Sequence, residues 1–407
     1  MKKTLLLSLL PFALFAQTPE ITSWLINPGG QTGYAGIPSN VQLVQYSANQ
    51  VYVTTTCIPD YSIGPWTANP NTPVNQNFLF KITRTPVQNA GNPVNTPLGH
   101  IGVWTNGVSI FNAKDGMSYN NQGVWNRDAY VFEGISFDNC LGHPAPNGEY
   151  HLHVNPTCLY DDTDSTVHAP IIGYAFDGFP IYGSFGFSNV NGTGPTRKMQ
   201  TSYRLRTITS RTTLPNGTVL NASQYGPAIG GTYPLGAFLE DYEYVPGLGD
   251  LDEHNGRYCI TPEYPSGIYA YFVSIGDNEV PLYPYVLGPT YYGLVQPGNT
   301  GPGSGHNIIS ETVVTYVPGT TVVQLYNDET PLLTISSQSG EVVFVAGSGI
   351  AHDAIVTFTD ISGRVIKQYN NIQADVENIL PVGALSHGIY ILSLYSGNTL
   401  ISKKLVH

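Results

Sequence analysis

The sequence predicts a mainly β protein, one large β-rich domain followed by a small C-terminal β-sandwich. Three observations carry this. The 407 residues include 44 Gly, 31 Pro and 28 Tyr with only 11% charged residues, a composition of short strands and tight turns rather than helices. Left-handed turn pairs recur between apolar runs, at Asn106-Gly107, Asn147-Gly148, Asp177-Gly178, Asn216-Gly217 and Asn255-Gly256. Near the C-terminus, apolar and polar residues alternate with period two.

Taken in order, the chain opens with Met1, Lys2 and Lys3, an apolar run from Leu5 to Phe15, and the small residue Ala16. That is the layout of a secretory signal peptide, so residues 1–16 are set aside from the fold. The run is too short to span a bilayer, and no later segment is apolar for long enough. Residues 17–295 form one compositional block, large enough to bury a stable core. Formal charge is −12, and losing Lys2 and Lys3 makes it −14. Nucleic acid is excluded as a partner, because phosphate binding needs basic patches.

Four cysteines remain after export: Cys57, Cys140, Cys158 and Cys259. In an oxidising compartment an even number suggests disulfides. Cys140 and Cys158 flank the most histidine-rich stretch, which favours their pairing and, by elimination, that of Cys57 with Cys259. A Cys/His metal site is the rival reading.

From Gln296 to Gly305 the chain has nothing to bury and reads as a linker, with connecting strands to residue 327. Strands are expected at Val313 to Val317, Val322 to Tyr326, Leu332 to Ser336, Glu341 to Val345, Ile355 to Thr359, Val365 to Tyr369 and Ile389 to Tyr395, with glycines at the turns. Within residues 328–407, Asp360-Ile-Ser-Gly-Arg-Val365, Leu385-Ser-His-Gly-Ile-Tyr-Ile-Leu392 and Lys403-Lys-Leu-Val406 resemble the type A sorting domain of the type IX secretion system of Bacteroidetes. His407 departs from it, standing where such chains usually end in Lys or Arg. The resemblance implies export across the outer membrane by the type IX machinery, removal of the domain by its sortase, and attachment to surface polysaccharide.

The most informative segment runs from Asn139 to Cys158. The Asn147-Gly148 turn feeds a short strand in which Tyr150 and Leu152 point one way and His151 and His153 the other. Two imidazoles on one strand face can converge on one ion, and neutral imidazole suits Zn or Cu, whereas calcium needs oxygen ligands. His143 lies on the loop before this strand and His168 after an acidic loop, so four of the ten histidines fall within 26 positions. The expectation is one transition-metal ion on His151, His153 and His168. Asp177 can serve as a fourth ligand, a general base or a plain turn residue, and spacing alone favours the turn. His143, Tyr150, Tyr174 and Tyr182 are expected around the site. A third, acidic cluster adds Asp241 and Arg257 to that set.

Together these segments resemble the YHYH family over about residues 99–293. The signature stands here as Tyr150-His-Leu-His153, with Leu152 in place of the second tyrosine. Supporting it are Gly173-Tyr-Ala-Phe-Asp-Gly-Phe-Pro-Ile-Tyr-Gly183, Leu239-Glu-Asp-Tyr-Glu-Tyr244, Asn255-Gly-Arg257, Thr261-Pro-Glu-Tyr-Pro265 and Tyr291-Tyr-Gly293. The substitution removes a hydroxyl but leaves both histidines. The resemblance names a domain without naming a reaction.

No nucleophile elbow, zincin helix, phosphate loop or dinucleotide fingerprint is present. Three functions follow: an extracellular metal-binding protein, a metal-dependent hydrolase or copper oxidase on the same ion, and a glycan-binding or adhesion module.

Overall fold

A computed structural model describes residues 18–318 and, beyond them, 333–338, 341–346, 354–360, 364–370, 372–373, 376–381, 389–396 and 399–406. The expected signal peptide and the strand expected at Val322 to Tyr326 lie outside the described residues. The protein is mainly β, as its composition predicts. Residues 18–316 form one compact unit, and the strands from residue 333 onward belong to a second.

In the first unit β1 (Val41–Tyr46), β2 (Gln50–Thr55) and β3 (Phe78–Thr83) make an antiparallel meander. The main sheet has eight strands: β4 (His100–Trp104), β5 (Ser109–Phe111), β6 (Gly142–Pro144), β7 (Tyr150–Leu152), β8 (Ile171–Ala175), β9 (Pro180–Tyr182), β10 (Gly256–Cys259) and β11 (Ile268–Phe272). Their order across the sheet is β10-β11-β9-β8-β4-β5-β7-β6. Three of the turn pairs read from sequence close hairpins here: Asn106-Gly107 joins β4 to β5, Asn147-Gly148 joins β6 to β7, and Asp177-Gly178 joins β8 to β9. At Gly148, φ is +78° and a Cβ would sit 2.9 Å from the Thr72 carbonyl oxygen, so both conformation and space require glycine. The pairs β5–β7 and β9–β11 are parallel, which places sequence-distant strands side by side. One face of the sheet supplies Ile101, Ile110, Leu152, Ile172, Ile181 and Tyr271 to a single core cluster. Each such side chain is worth roughly 1.5–3 kcal/mol when fully buried.

Residues 296–305, read from composition as a linker, are instead packed along β3, and Asn307 continues the contact. Leu79 N–H donates to the Gly305 carbonyl at 2.7 Å, Lys81 N–H to Asn299 Oδ1 at 3.0 Å, and Asn307 N–H to the Leu79 carbonyl at 3.1 Å. Buried Asn299 supplies side-chain hydrogen bonding that glycine and proline composition does not reveal. The expected strand at Val313 to Val317 exists as β12 (Val314–Thr315), but it pairs with β1 and so belongs to the larger unit.

The second unit is a β-sandwich. β13 (Leu333–Gln338), β14 (Glu341–Ala346) and β17 (Glu377–Pro381) form one sheet. β15 (Ile355–Asp360), β16 (Val365–Tyr369), β18 (Ile389–Ser396) and β19 (Thr399–Val406) form the other. Val342 and Phe344 of the first sheet share a core with Val356, Phe358, Leu392 and Leu394 of the second. Strands β17 and β19 were not anticipated from sequence.

Candidate metal centre

The strand alternation expected at the histidine motif is realised on β7. Tyr150 and Leu152 are fully buried in the core, and the Tyr150 hydroxyl donates to Asp138 at 3.0 Å. His151 and His153 face the other way, each 3% exposed. Directly across the hairpin, His143 of β6 pairs with His151. The close approach depends on Gly142, where a Cβ would lie 2.3 Å from the Tyr150 hydroxyl. The disulfide Cys140–Cys158, expected from sequence, closes this segment, its Cα atoms 5.3 Å apart.

A fourth group comes from upstream. Asp128 caps the short helix α1 (Ala129–Phe132), accepting from Tyr130 N–H at 2.9 Å, and Glu133 follows at its C-terminal end. Glu133, His143, His151 and His153 bring one ligand atom each to within 4.8 Å of one another. His151 Nε2 is 3.2 Å from His153 Nε2, while Glu133 Oε2 is 3.2 Å from His143 Nε2 and 3.4 Å from His153 Nε2.

The outward-facing nitrogens decide the protonation state. His151 Nδ1 meets the Glu149 carbonyl at 3.0 Å, and His153 Nδ1 meets the Asn112 carbonyl at 2.5 Å. A carbonyl only accepts, so both Nδ1 atoms carry the proton. The Ser136 hydroxyl donates its one hydrogen to the Glu133 carbonyl at 2.7 Å, so it accepts from His143 Nδ1, also at 2.7 Å. In the neutral imidazoles every Nε2 then presents a lone pair inward, toward a carboxylate and toward its neighbours. His143 Nε2 accordingly makes no hydrogen bond although it is buried. Such an array is repulsive unless a proton or another cation sits inside it.

Burial opposes a proton at two of the three imidazoles. Burial pushes the His143 imidazole below its ordinary value despite Glu133 beside it. Burial, reinforced by His143 and His153, pushes His151 well below. Burial alone would raise the Glu133 carboxyl, yet the His143 and His153 imidazoles beside it hold it well below the usual carboxylate range. Burial and a hydrogen bond shared with Glu133 push the neighbouring Asp115 up to about 6. Phe111 stacks on His151 with ring centroids 3.7 Å apart, closing one wall.

The other expected site residues are placed elsewhere. His168 precedes β8 and packs among Tyr182, Phe187 and Phe272, its Nδ1 donating to the Ala169 carbonyl at 2.7 Å, so it is no member of the cluster. Asp177 is a buried clamp: it accepts from the Tyr271 hydroxyl at 2.6 Å and from Gly293 N–H at 2.8 Å. Tyr174 packs on Trp24, and Tyr182 donates to Glu263 at 2.9 Å. Arg257 bonds the Phe187 carbonyl, and Asp241 is paired with Arg211. Cys57 and Cys259 are not bonded; both are buried free thiols. Cys259 lies on β10 at one edge of the sheet, whereas Cys57 contacts Ser109 of β5 and the Tyr150 carbonyl of β7. Five strand spacings of roughly 4.8 Å separate β10 from β5, far beyond disulfide reach. Sequence reasoning missed Glu133, whose only local signal is the Asp128 cap placing it at the end of a helical turn.

Residues 79–284 match the family described as YHYH protein, and residues 332–407 match the Secretion system C-terminal sorting domain. The first match begins at β3, earlier than the motifs alone place it. No curated protein matches the chain. Among the described residues no helix is long and apolar enough to cross a membrane. The sorting domain marks the chain for the type IX secretion system, which carries it across the outer membrane to the cell surface. With just over half of its length matched and the histidine motif inside that match, the chain belongs to the YHYH family.

Proposed function

We propose that this exported protein holds one transition-metal ion on His143, His151, His153 and Glu133, and that binding the ion is the function of its YHYH domain. The observation that carries the reading is the set of three Nδ1–H tautomers, each fixed by an outward partner, which aims three Nε2 lone pairs and a carboxylate at one point. Outward hydrogen bonds of this kind orient metal-ligating histidines. Zinc fits best. Donors at about 2.0–2.1 Å around a tetrahedral ion are spaced by about 3.3 Å, and the three short donor separations are 3.2, 3.2 and 3.4 Å. Copper(II), which prefers tetragonal geometry, fits less well.

A metal-dependent hydrolase is the second reading, and one observation favours it. The Glu133 side chain is 26% exposed while those of His143 and His153 are 8% and 3% exposed, so a carboxylate that swings aside opens a coordination position to water. Residues 1–16 act as the export signal in this account. A sortase removes the C-terminal domain and joins the rest to surface polysaccharide.

Elemental analysis of the purified full chain beside His151→Ala/His153→Ala tests the proposal. About one zinc per chain, lost from a folded double variant, is expected. Absence of any transition metal in the wild type, even after incubation with zinc and copper salts, rejects it.

A further inference from the structure

Behind the metal centre, and separate from it, lies a cleft of about 390 Å³ lined by tyrosines, by polar side chains and by the apolar Leu239, Leu287 and Pro289. The segment from Asn112 to Asp115 is the wall between the two. Asn112 gives its carbonyl to His153 and lines the cleft, Lys114 also lines the cleft, and Asp115 turns to Glu133. A ligand in the cleft therefore does not touch the ion.

The cleft is built to hydrogen-bond. Tyr242 and Tyr283 stack with centroids 4.3 Å apart and planes 14° from parallel, and Tyr203 meets Tyr283 edge-on at 5.2 Å. The Tyr283 ring is buried, with only 7% of the residue exposed. Among the described residues neither its hydroxyl nor that of Tyr242 has a hydrogen-bond partner, and both residues line the cleft. Across from them, Glu240 is held by Asn126, whose backbone N–H and Nδ2 donate at 2.7 and 2.6 Å. Lys114 supplies the opposite charge close to Glu240.

Aromatic surface, free hydroxyls, three amides and one charge of each sign form a lining without net charge. It excludes anions and cations as preferred guests and suits a neutral ring with apolar C–H faces and many hydroxyls. The volume lies within the range of small-molecule sites. We infer that this cleft binds a neutral saccharide, of monosaccharide to disaccharide size. The site stands apart from the metal reading and survives its failure.

The test uses the full chain and a panel of neutral methyl glycosides and disaccharides of gluco, galacto, manno and xylo configuration. Binding is followed by calorimetry and saturation-transfer NMR, with glucuronate and glucosamine as charged controls. Saturable binding of at least one neutral sugar is expected, with weaker binding of the charged ones. Tyr283→Phe removes a hydroxyl that has no partner in the fold, so it leaves folding intact and weakens binding about fivefold, the worth of one neutral hydrogen bond. Lys114→Met weakens it by a similar factor. Failure of every neutral sugar to bind at millimolar concentration overturns the inference, as does binding that both variants leave unchanged.

Discussion

Replacing His143 separates this site from the one that sequence spacing suggests. His143→Ala removes one of four donors, whereas His168→Ala removes an imidazole packed among Tyr182, Phe187 and Phe272. Four-donor zinc sites bind with roughly 10–16 kcal/mol, so one donor carries roughly 3–4 kcal/mol, a factor of about 10²–10³ in Kd. Ser136→Ala leaves the four donors in place and removes only the outward partner of His143, which corresponds to about 10–100-fold. The assay is competition for zinc against a chromophoric chelator at pH 7.5, with circular dichroism reporting that each variant is folded. The predicted order of affinity loss is His143→Ala, then Ser136→Ala, then His168→Ala with no significant loss. Equal losses in His143→Ala and His168→Ala, or a His143→Ala protein within threefold of wild type, would refute the reasoning.

Other perturbations give distinct outcomes. All four tryptophans, Trp24, Trp66, Trp104 and Trp125, lie in the first unit, so their fluorescence follows its unfolding alone. Cys140→Ser/Cys158→Ser opens a loop spanning 18 positions and lowers stability by about 3 kcal/mol, read as a shift in the urea midpoint. For the metal-free protein, the His143 and His151 imidazoles titrate below the ordinary value of 6.5 when folded. The unfolded chain therefore binds more protons than the native one just below pH 6.5, and stability present above that pH is lost as pH falls toward the folded values. Asp115, Asp128 and Asp177, raised by burial, act in the opposite sense, so the comparison is with a His143→Gln/His151→Gln variant: the urea midpoint of the wild type is expected to fall more steeply from pH 7 to pH 5, and equal slopes contradict the assignment. Arg211 and Asp241 form a fully buried bidentate pair at 2.8 and 2.7 Å; Asp241→Ala strands the guanidinium and costs about 3–5 kcal/mol, while zinc affinity measured in the folded fraction stays at the wild-type level.

Local patterns carried much of the fold. Period-two alternation separated Leu152 from His151 and His153, and the Asn-Gly and Asp-Gly pairs marked hairpins at β4–β5, β6–β7 and β8–β9. The Cys140–Cys158 pairing was legible because both cysteines flank one short motif. What failed was long-range. His168 is near His153 in sequence, but β8 is separated from β7 by β4 and β5 in the sheet. The parallel β5–β7 pairing, which brings Phe111 and the Asn112 carbonyl to the histidines, leaves no periodic trace. Glu133 sits in an unremarkable stretch and gains meaning only from three imidazoles arriving opposite it. Pairing Cys57 with Cys259 by elimination assumed that all thiols are used, whereas sheet order keeps these two apart. Gln296 to Gly305 looked like a linker because hydrogen bonding along β3 depends on backbone groups and on Asn299, not on apolar content.

X-ray absorption at the metal edge of the purified full chain reads the donor atoms of the ion and their distances together. The proposed centre gives a zinc edge with three imidazole nitrogens at about 2.0–2.1 Å and one carboxylate oxygen completing the shell. A shell containing sulfur at about 2.3 Å would assign the ion to Cys57 or Cys259, and a shell of oxygen alone would remove it from the histidines. Either result would contradict the assignment to His143, His151, His153 and Glu133.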